Sequence, residues 1–152
     1  MPELKEKKQT CENYFLGEIY KNVKMGADSI INLLPSVKDD GLRGVMTLQL
    51  DGYEKYAARA ANALEERGVK PKEENLFTRL SARMGMAVNT MLDSTTGHIA
   101  EMMIKGSNMG ITDMTKLLND HTPRGTAPDA VRLAREVVAF EEHNLEMLKR
   151  YL

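Results

Sequence analysis

The chain has 152 residues, with 21 basic against 22 acidic side chains and one cysteine, Cys11. This length fits a single domain that buries roughly two thirds of its unfolded surface, and the near-neutral charge gives no general field for attracting nucleic acid or an anionic membrane. One cysteine excludes an internal disulfide, and no segment approaches the ~20 apolar residues that cross a bilayer, so we expect a cytoplasmic protein.

The first predicted element is a long helix. An apolar period of about 3.6 residues recurs along almost the whole chain, which predicts an all-α fold. The helix is expected to begin at Thr10 or Cys11 and to end at Leu34, because a proline follows. Residues 1–10 are therefore expected to be a flexible N-terminal tail, and residues 11–152 a single helical-bundle domain.

The second helix has clear signals at both ends. Asp39 or Asp40 is suited to cap its first turn, and Gly68 is suited to end it after Arg67. Because the join to the first helix is short, the two helices are predicted to form an antiparallel hairpin.

The middle of the chain admits two interpretations. In the first, one helix runs from Leu76 to Met102 and residues 106–110 form a loop. In the second, the chain breaks near the segment DSTTG, and a core helix runs from His98 to Leu118 through two glycines.

An internal similarity favours the second interpretation. The segments Lys21–Leu34 (KNVKMGADSIINLL) and Lys105–Leu118 (KGSNMGITDMTKLL) share the lysine, the Met-Gly pair and the final Leu-Leu. Downstream, the aromatic-Glu pairs Tyr53-Glu54 and Phe140-Glu141 lie opposite one another in the same comparison. Such a repeat indicates two helical hairpins related by a pseudo-two-fold axis.

Two hairpins arranged in this way need a connection that travels the length of the bundle. Residues 68–95 are long enough to provide it, and Leu76–Leu92 is predicted to be an amphipathic helix within this crossover. The last helix is expected from about Pro128 to the C-terminus, because proline is favoured at the first helical position.

Two short motifs carry a family resemblance. DGYEKY (Asp51–Tyr56) lies on the second helix, and EEHN (Glu141–Asn144) lies on the last. With the two hairpins and the long crossover, the chain over roughly Asn13–Leu152 resembles the ferritin-like fold, and more narrowly a bacterial ferritin-like family of unknown function. The resemblance implies an all-α, ferritin-like up-down bundle of two hairpins and assigns no activity.

The spacing in EEHN does not suit a standard di-iron centre. That centre needs Glu-x-x-His on each of two helices, all facing inward. Here Phe140 stands three residues before His143, and Asn144 stands three after Glu141. Because a helix advances ~100° per residue, Glu141 and His143 face nearly opposite ways, and only Glu141 follows the apolar series.

A buried Glu141 needs hydrogen-bond partners or protonation. We expect it in a polar layer, satisfied by Gln49, by the hydroxyl of Tyr53 or Tyr56, or by a water molecule.

Two functional hypotheses follow from these residues. The first is a non-catalytic bundle without a cofactor, which binds a partner protein, a second copy of itself in a homo-oligomer, or a small apolar ligand. The alternative is a degenerate metalloprotein or oxidoreductase that binds iron or another divalent metal through Glu141, Glu54, Glu18 and His98.

Overall fold

The computed structural model describes residues 2–71, 94–121 and 127–152, with the backbone alone for residue 2 and residues 4–10. These residues form four helices and no strand, which confirms the all-α fold. The helices are α1 (Pro2–Leu33), α2 (Asp40–Glu65), α3 (Thr96–His121) and α4 (Pro128–Lys149).

Local signals set the ends of α1 and α2. A single 3-10 turn, Leu34–Ser36, contains the proline that stops α1. The Asp39 carboxylate accepts a hydrogen bond from the amide of Leu42 at 2.8 Å and so caps α2. Beyond α2, Gly68 takes the left-handed conformation with φ of 73°. All three predicted boundary signals are confirmed.

The start of α1 differs from its prediction. The helix begins at Pro2, so the expected start at Thr10 or Cys11 was too late. Proline suits the first helical position, and the Glu, Leu and Lys residues that follow are strong helix formers, so the helix needs no later cap. The flexibility of residues 1–10 and the single-domain boundary 11–152 stay predictions.

Contacts at two levels show that α1 and α2 run antiparallel. Glu12, early in α1, pairs with Arg67, which follows α2. Farther along α1, Gly26 lies against the ring of Tyr53 in α2. These helices therefore form the first predicted hairpin.

The second hairpin, α3 and α4, is built in the same way. Gly97, at the start of α3, lies near the backbone of Leu152, just beyond the end of α4. Gly110, in the middle of α3, lies against the side chain of Glu141 in α4. The core helix of the second interpretation is confirmed, since α3 runs through both of its glycines without a break.

The hairpins pack with α1 beside α3 and α2 beside α4. His121 at the end of α3 stacks on Tyr14 of α1, with ring centroids 5.2 Å apart. Arg59 of α2 and Glu136 of α4 form an ion pair at 2.8 Å. Each of these neighbours is antiparallel, so α2 and α3 run parallel, and the connection between them spans the length of the bundle. The predicted crossover helix, Leu76–Leu92, lies outside the described residues.

The hydrophobic core lies along the centre of the bundle and takes side chains from all four helices. Its fully buried members include Phe15, Ile19, Val23, Ile30, Leu42, Met46, Leu64, Ile99, Met114, Ala134, Val137 and Leu148. Leu152, beyond the end of α4, is by contrast exposed. Within the described ranges, no helix is both long and apolar enough to cross a membrane.

Two helix glycines allow aromatic rings to approach a neighbouring backbone. A Cβ added at Gly26 would lie 2.4 Å from Cε1 of Tyr53, and one added at Gly52 would lie 2.4 Å from Cε2 of Phe140. The two rings meet edge to face, with centroids 4.9 Å apart. Close packing between helices therefore accounts for glycine at these two positions.

Candidate functional site

A layer of polar side chains crosses the middle of the hydrophobic core. All four helices contribute to it, although each residue is at most 6% exposed. The polar layer consists of Asn22 from α1, Gln49 and Tyr53 from α2, Ser107 from α3, and Glu141 and Asn144 from α4. Burial of so many polar groups costs stability unless they hydrogen-bond to one another, so their contacts decide what the layer does.

Glu141 is the centre of the polar layer and is only 2% exposed. Asn22 donates a hydrogen bond from Nδ2 to Oε1 of Glu141. The hydroxyl of Tyr53 donates to Oε2 at 3.3 Å. One carboxyl group of the second hairpin is therefore bound by both helices of the first.

The carboxyl group of Glu141 also lies against the backbone of α3. A Cβ added at Gly110 would be 2.0 Å from Oε2 of Glu141 and 2.9 Å from Oδ1 of Asn22. Only glycine leaves this space open, because any other residue places an atom there. Gly110 thus makes room for the hydrogen-bonded pair of Glu141 and Asn22.

Burial keeps the polar layer neutral. It raises the pKa of Glu141 to about 8, against the lowering effect of the hydrogen bonds from Asn22 and Tyr53, and the nearby charge of Asp113 raises it further. Burial, followed by the charge of Glu141, raises the pKa of Tyr53 well above its ordinary value. At pH 7 most molecules therefore hold a protonated carboxyl and a protonated phenol side by side.

Gln49 and Asn144 form a second polar contact, one helical turn from the contact between Tyr53 and Glu141. Nε2 of Gln49 donates to the main-chain oxygen of Asn144 at 3.3 Å. The side chains of Asn144 and Ser107 lie near the Tyr53 hydroxyl and act to lower its pKa, but burial and Glu141 outweigh them. Nδ2 of Asn144 nevertheless has no partner in hydrogen-bonding geometry among the described residues.

The sequence predicted the burial of Glu141 and one of its hydrogen-bond partners. Glu141 is buried as predicted, and His143 is exposed as predicted. Tyr53 binds the carboxyl group, which confirms one of the expected partners. Gln49 lies in the layer but binds the backbone of Asn144 instead of Glu141.

Asn22 is the partner that sequence reasoning missed. Its position carries a usable signal, because it lies three residues after Ile19 and four before Gly26, both on the buried face of α1. A polar residue at that spacing belongs to the core.

The structure does not bring the four candidate metal ligands together. Glu54 is exposed on α2, and Glu18 is partly exposed and pairs with Lys21 at 3.4 Å. His98 lies in the first turn of α3, about 18 Å along that helix from Gly110, beside which Glu141 sits. Across the described ranges, no three His, Cys, Asp or Glu side chains lie close enough together to hold a metal ion.

The residues that the internal repeat aligns in α1 and α3 occupy equivalent positions in the structure. In α2 and α4 the equivalent positions are shifted by one residue from the alignment. Gly26 and Gly110, which the sequence comparison aligned, both face the partner helix of their own hairpin. Gly26 faces Tyr53, and Gly110 faces Glu141. These two residues are therefore the structural counterparts, so the expected match of Glu54 with Glu141 was wrong.

Comparisons with known proteins support the fold. No protein-family model and no curated protein matches the chain. A dodecameric thioferritin, the bacterioferritin-related protein of Bacteroides fragilis, is 12% identical, with a TM-score of 0.76 over 99% of this chain and 91% of its own. A conserved hypothetical protein of Mycobacterium tuberculosis is 14% identical, with a TM-score of 0.69 over 94% of this chain and 98% of its own. This likeness confirms the ferritin-like four-helix fold.

Replacing Gly110 with alanine should destabilise the protein by about 1–3 kcal/mol, because the new methyl group overlaps the buried carboxyl of Glu141. Gly106, one turn earlier on α3, is the matched control, since a Cβ there meets no atom within 4 Å. Gly106→Ala should stabilise the helix by roughly 0.5–1 kcal/mol. Urea denaturation measures both, and equal effects of the two substitutions would contradict the packing described for Gly110.

Glu141 should also make stability depend on pH. Its pKa rises from 4.5 to about 8 on folding, so the folded state binds the proton more tightly. The contribution of the neutral carboxyl is fully present below pH 4.5 and is lost as pH rises through about 8, a loss on the order of a few kcal/mol. Denaturation of the wild type and of Glu141→Gln across this range should show the decline only in the wild type.

The exposed neighbour provides the control for this titration. Glu142→Gln removes the adjacent carboxylate but leaves the buried one, so its pH dependence should follow that of the wild type. If Glu141→Gln also followed the wild-type curve, another group would be responsible for the decline.

Proposed function

We propose that this chain is a non-catalytic ferritin-like bundle that acts by self-association into a homo-oligomer. The main support is the fold likeness, along nearly the whole chain, to a protein that forms a dodecamer. Assembly of identical bundles is a task that the fold can perform without any chemistry at its centre. The proposal keeps the cytoplasmic location that the single cysteine favours.

The composition of the polar layer supports a non-catalytic role. A carboxylate di-iron centre in a four-helix bundle needs inward carboxylates from all four helices. In this layer the corresponding side chains are amides and hydroxyls, and Glu141 is the single carboxyl group. Its oxygens accept hydrogen bonds from Asn22 and Tyr53, which are contacts that hold helices together.

The outer surface of α2 offers an apolar contact for a second copy. Leu48 is 73% exposed, the largest exposed fraction among the large hydrophobic residues of the described ranges. Gly44, one turn earlier, leaves open space beside it, because a Cβ added there would meet no atom within 4 Å. Another helix could therefore approach this surface closely and cover Leu48.

Leu48→Lys should weaken self-association. Loss of a buried leucine contact amounts to roughly 1.5–3 kcal/mol, which weakens binding by about tenfold or more. Sedimentation velocity over a range of protein concentrations measures the effect. Thr115→Lys, at an exposed position of α3, adds the same charge elsewhere and should leave assembly unchanged. A wild-type protein that stays monomeric at every concentration would refute self-association.

The alternative, a degenerate metal site for iron or another divalent ion, has one residue in its favour. Glu141 lies at the bundle centre, but Glu54, Glu18 and His98 lie apart from it. Elemental analysis after expression in medium with added iron, manganese and zinc separates the two functions. Our proposal predicts substoichiometric metal that is the same in the wild type, Glu141→Ala and Glu142→Ala. Stoichiometric metal that only Glu141→Ala removes would instead establish the metal site.

A further inference from the structure

Gln49 of α2 and Asn144 of α4 face each other in the core, one turn from the contact between Tyr53 and Glu141. Gln49 is 4% exposed and Asn144 is 3% exposed. Their one direct contact joins Nε2 of Gln49 to the main-chain oxygen of Asn144, at 3.3 Å. The remaining side-chain atoms, Oε1 of Gln49 and Nδ2 of Asn144, have no hydrogen-bond partner among the described residues.

Two unpartnered atoms of this kind point to a bound molecule. Buried amide oxygens and nitrogens in folded proteins are almost always hydrogen-bonded, because leaving them dry costs stability. The pair here is complementary, since Oε1 is an acceptor and Nδ2 is a donor. A single occupant can therefore satisfy both atoms if it can donate and accept.

The chemistry of the two atoms selects the occupant. A cation would suit Oε1 of Gln49 but would face the N–H groups of Asn144, and an anion would have the opposite mismatch. A neutral molecule with both a donor and an acceptor suits both atoms, and water is the smallest. Buried waters occur about once per 27 residues and bridge polar groups of this type.

We propose that Gln49 and Asn144 hold one internal water molecule between α2 and α4. The water donates to Oε1 of Gln49 and accepts from Nδ2 of Asn144. With the direct contact to the main-chain oxygen of Asn144, it makes this amide pair a second polar connection between the two hairpins, beside that of Tyr53 and Glu141.

NMR spectroscopy of the full chain tests the proposal. A nuclear Overhauser cross-peak between water and the side-chain NH₂ group of Asn144 is expected in the wild type. Gln49→Met keeps the side-chain volume and removes the acceptor, so the cross-peak should be lost. Ser29→Ala is the control, because Ser29 is buried on α1 and donates to Met25 of its own helix at 2.7 Å, so the cross-peak should remain.

A high-resolution crystal structure of the wild type gives an independent answer, which holds even if Gln49→Met fails to fold. Ordered water within hydrogen-bonding distance of both atoms is the expected result. Direct contact between Oε1 of Gln49 and Nδ2 of Asn144 would overturn the proposal. An unchanged cross-peak in a folded Gln49→Met variant would overturn it as well.

Discussion

The side chain of Glu141 leaves α4 at the centre of the bundle and ends between Asn22 of α1 and Tyr53 of α2, against the backbone of α3 at Gly110. No other described carboxyl group is so deeply buried. Both hydrogen bonds come from neutral donors, so desolvation prevails and the pKa rises to about 8. The group that would be an anion on the surface is thus a neutral connection between helices. Its two hydrogen bonds join the second hairpin to both helices of the first.

Small residues make this arrangement possible. In the first hairpin Gly26 admits the ring of Tyr53, and in the second Gly110 admits the carboxyl of Glu141. The two inserted side chains then meet, with 3.3 Å between the hydroxyl and Oε2. The internal repeat therefore places a glycine on one helix of each hairpin. The side chain that packs against this glycine is different in the two hairpins. The four helices around this site are arranged as in a ferritin-like fold. The side chains that they contribute are not those of a di-iron centre.

The arrangement of helices along the chain could be predicted from the sequence, because local signals set the helix ends. Pro35, Asp39 and Gly68 act on their own backbone, and they set helix boundaries that a single sequence shows. The helical period likewise places Glu141 inward, since burial repeats along the same face.

The contacts between hairpins were harder to predict, because they depend on the register of helices distant in sequence. A shift of one residue between α2 and α4 makes Tyr53, and not Glu54, the counterpart of Glu141. Asn22 reaches the same carboxyl from 119 residues away, and no local pattern encodes that distance. The late prediction for the start of α1 has a different origin, because the sequence of its first turns lacks the apolar period on which the prediction relied.

The sequence separation of these contacts also bears on how the chain folds. The helices of each hairpin follow one another closely, whereas Tyr53 and Glu141 are 88 residues apart. Contacts between hairpins close the longer loops, so their loop-closure entropy is greater. Folding removes the Glu141 side chain from water, so at neutral pH the carboxyl takes up a proton as the chain folds. Folding is therefore a proton-consuming reaction at neutral pH, and the proton is taken up by a single buried side chain.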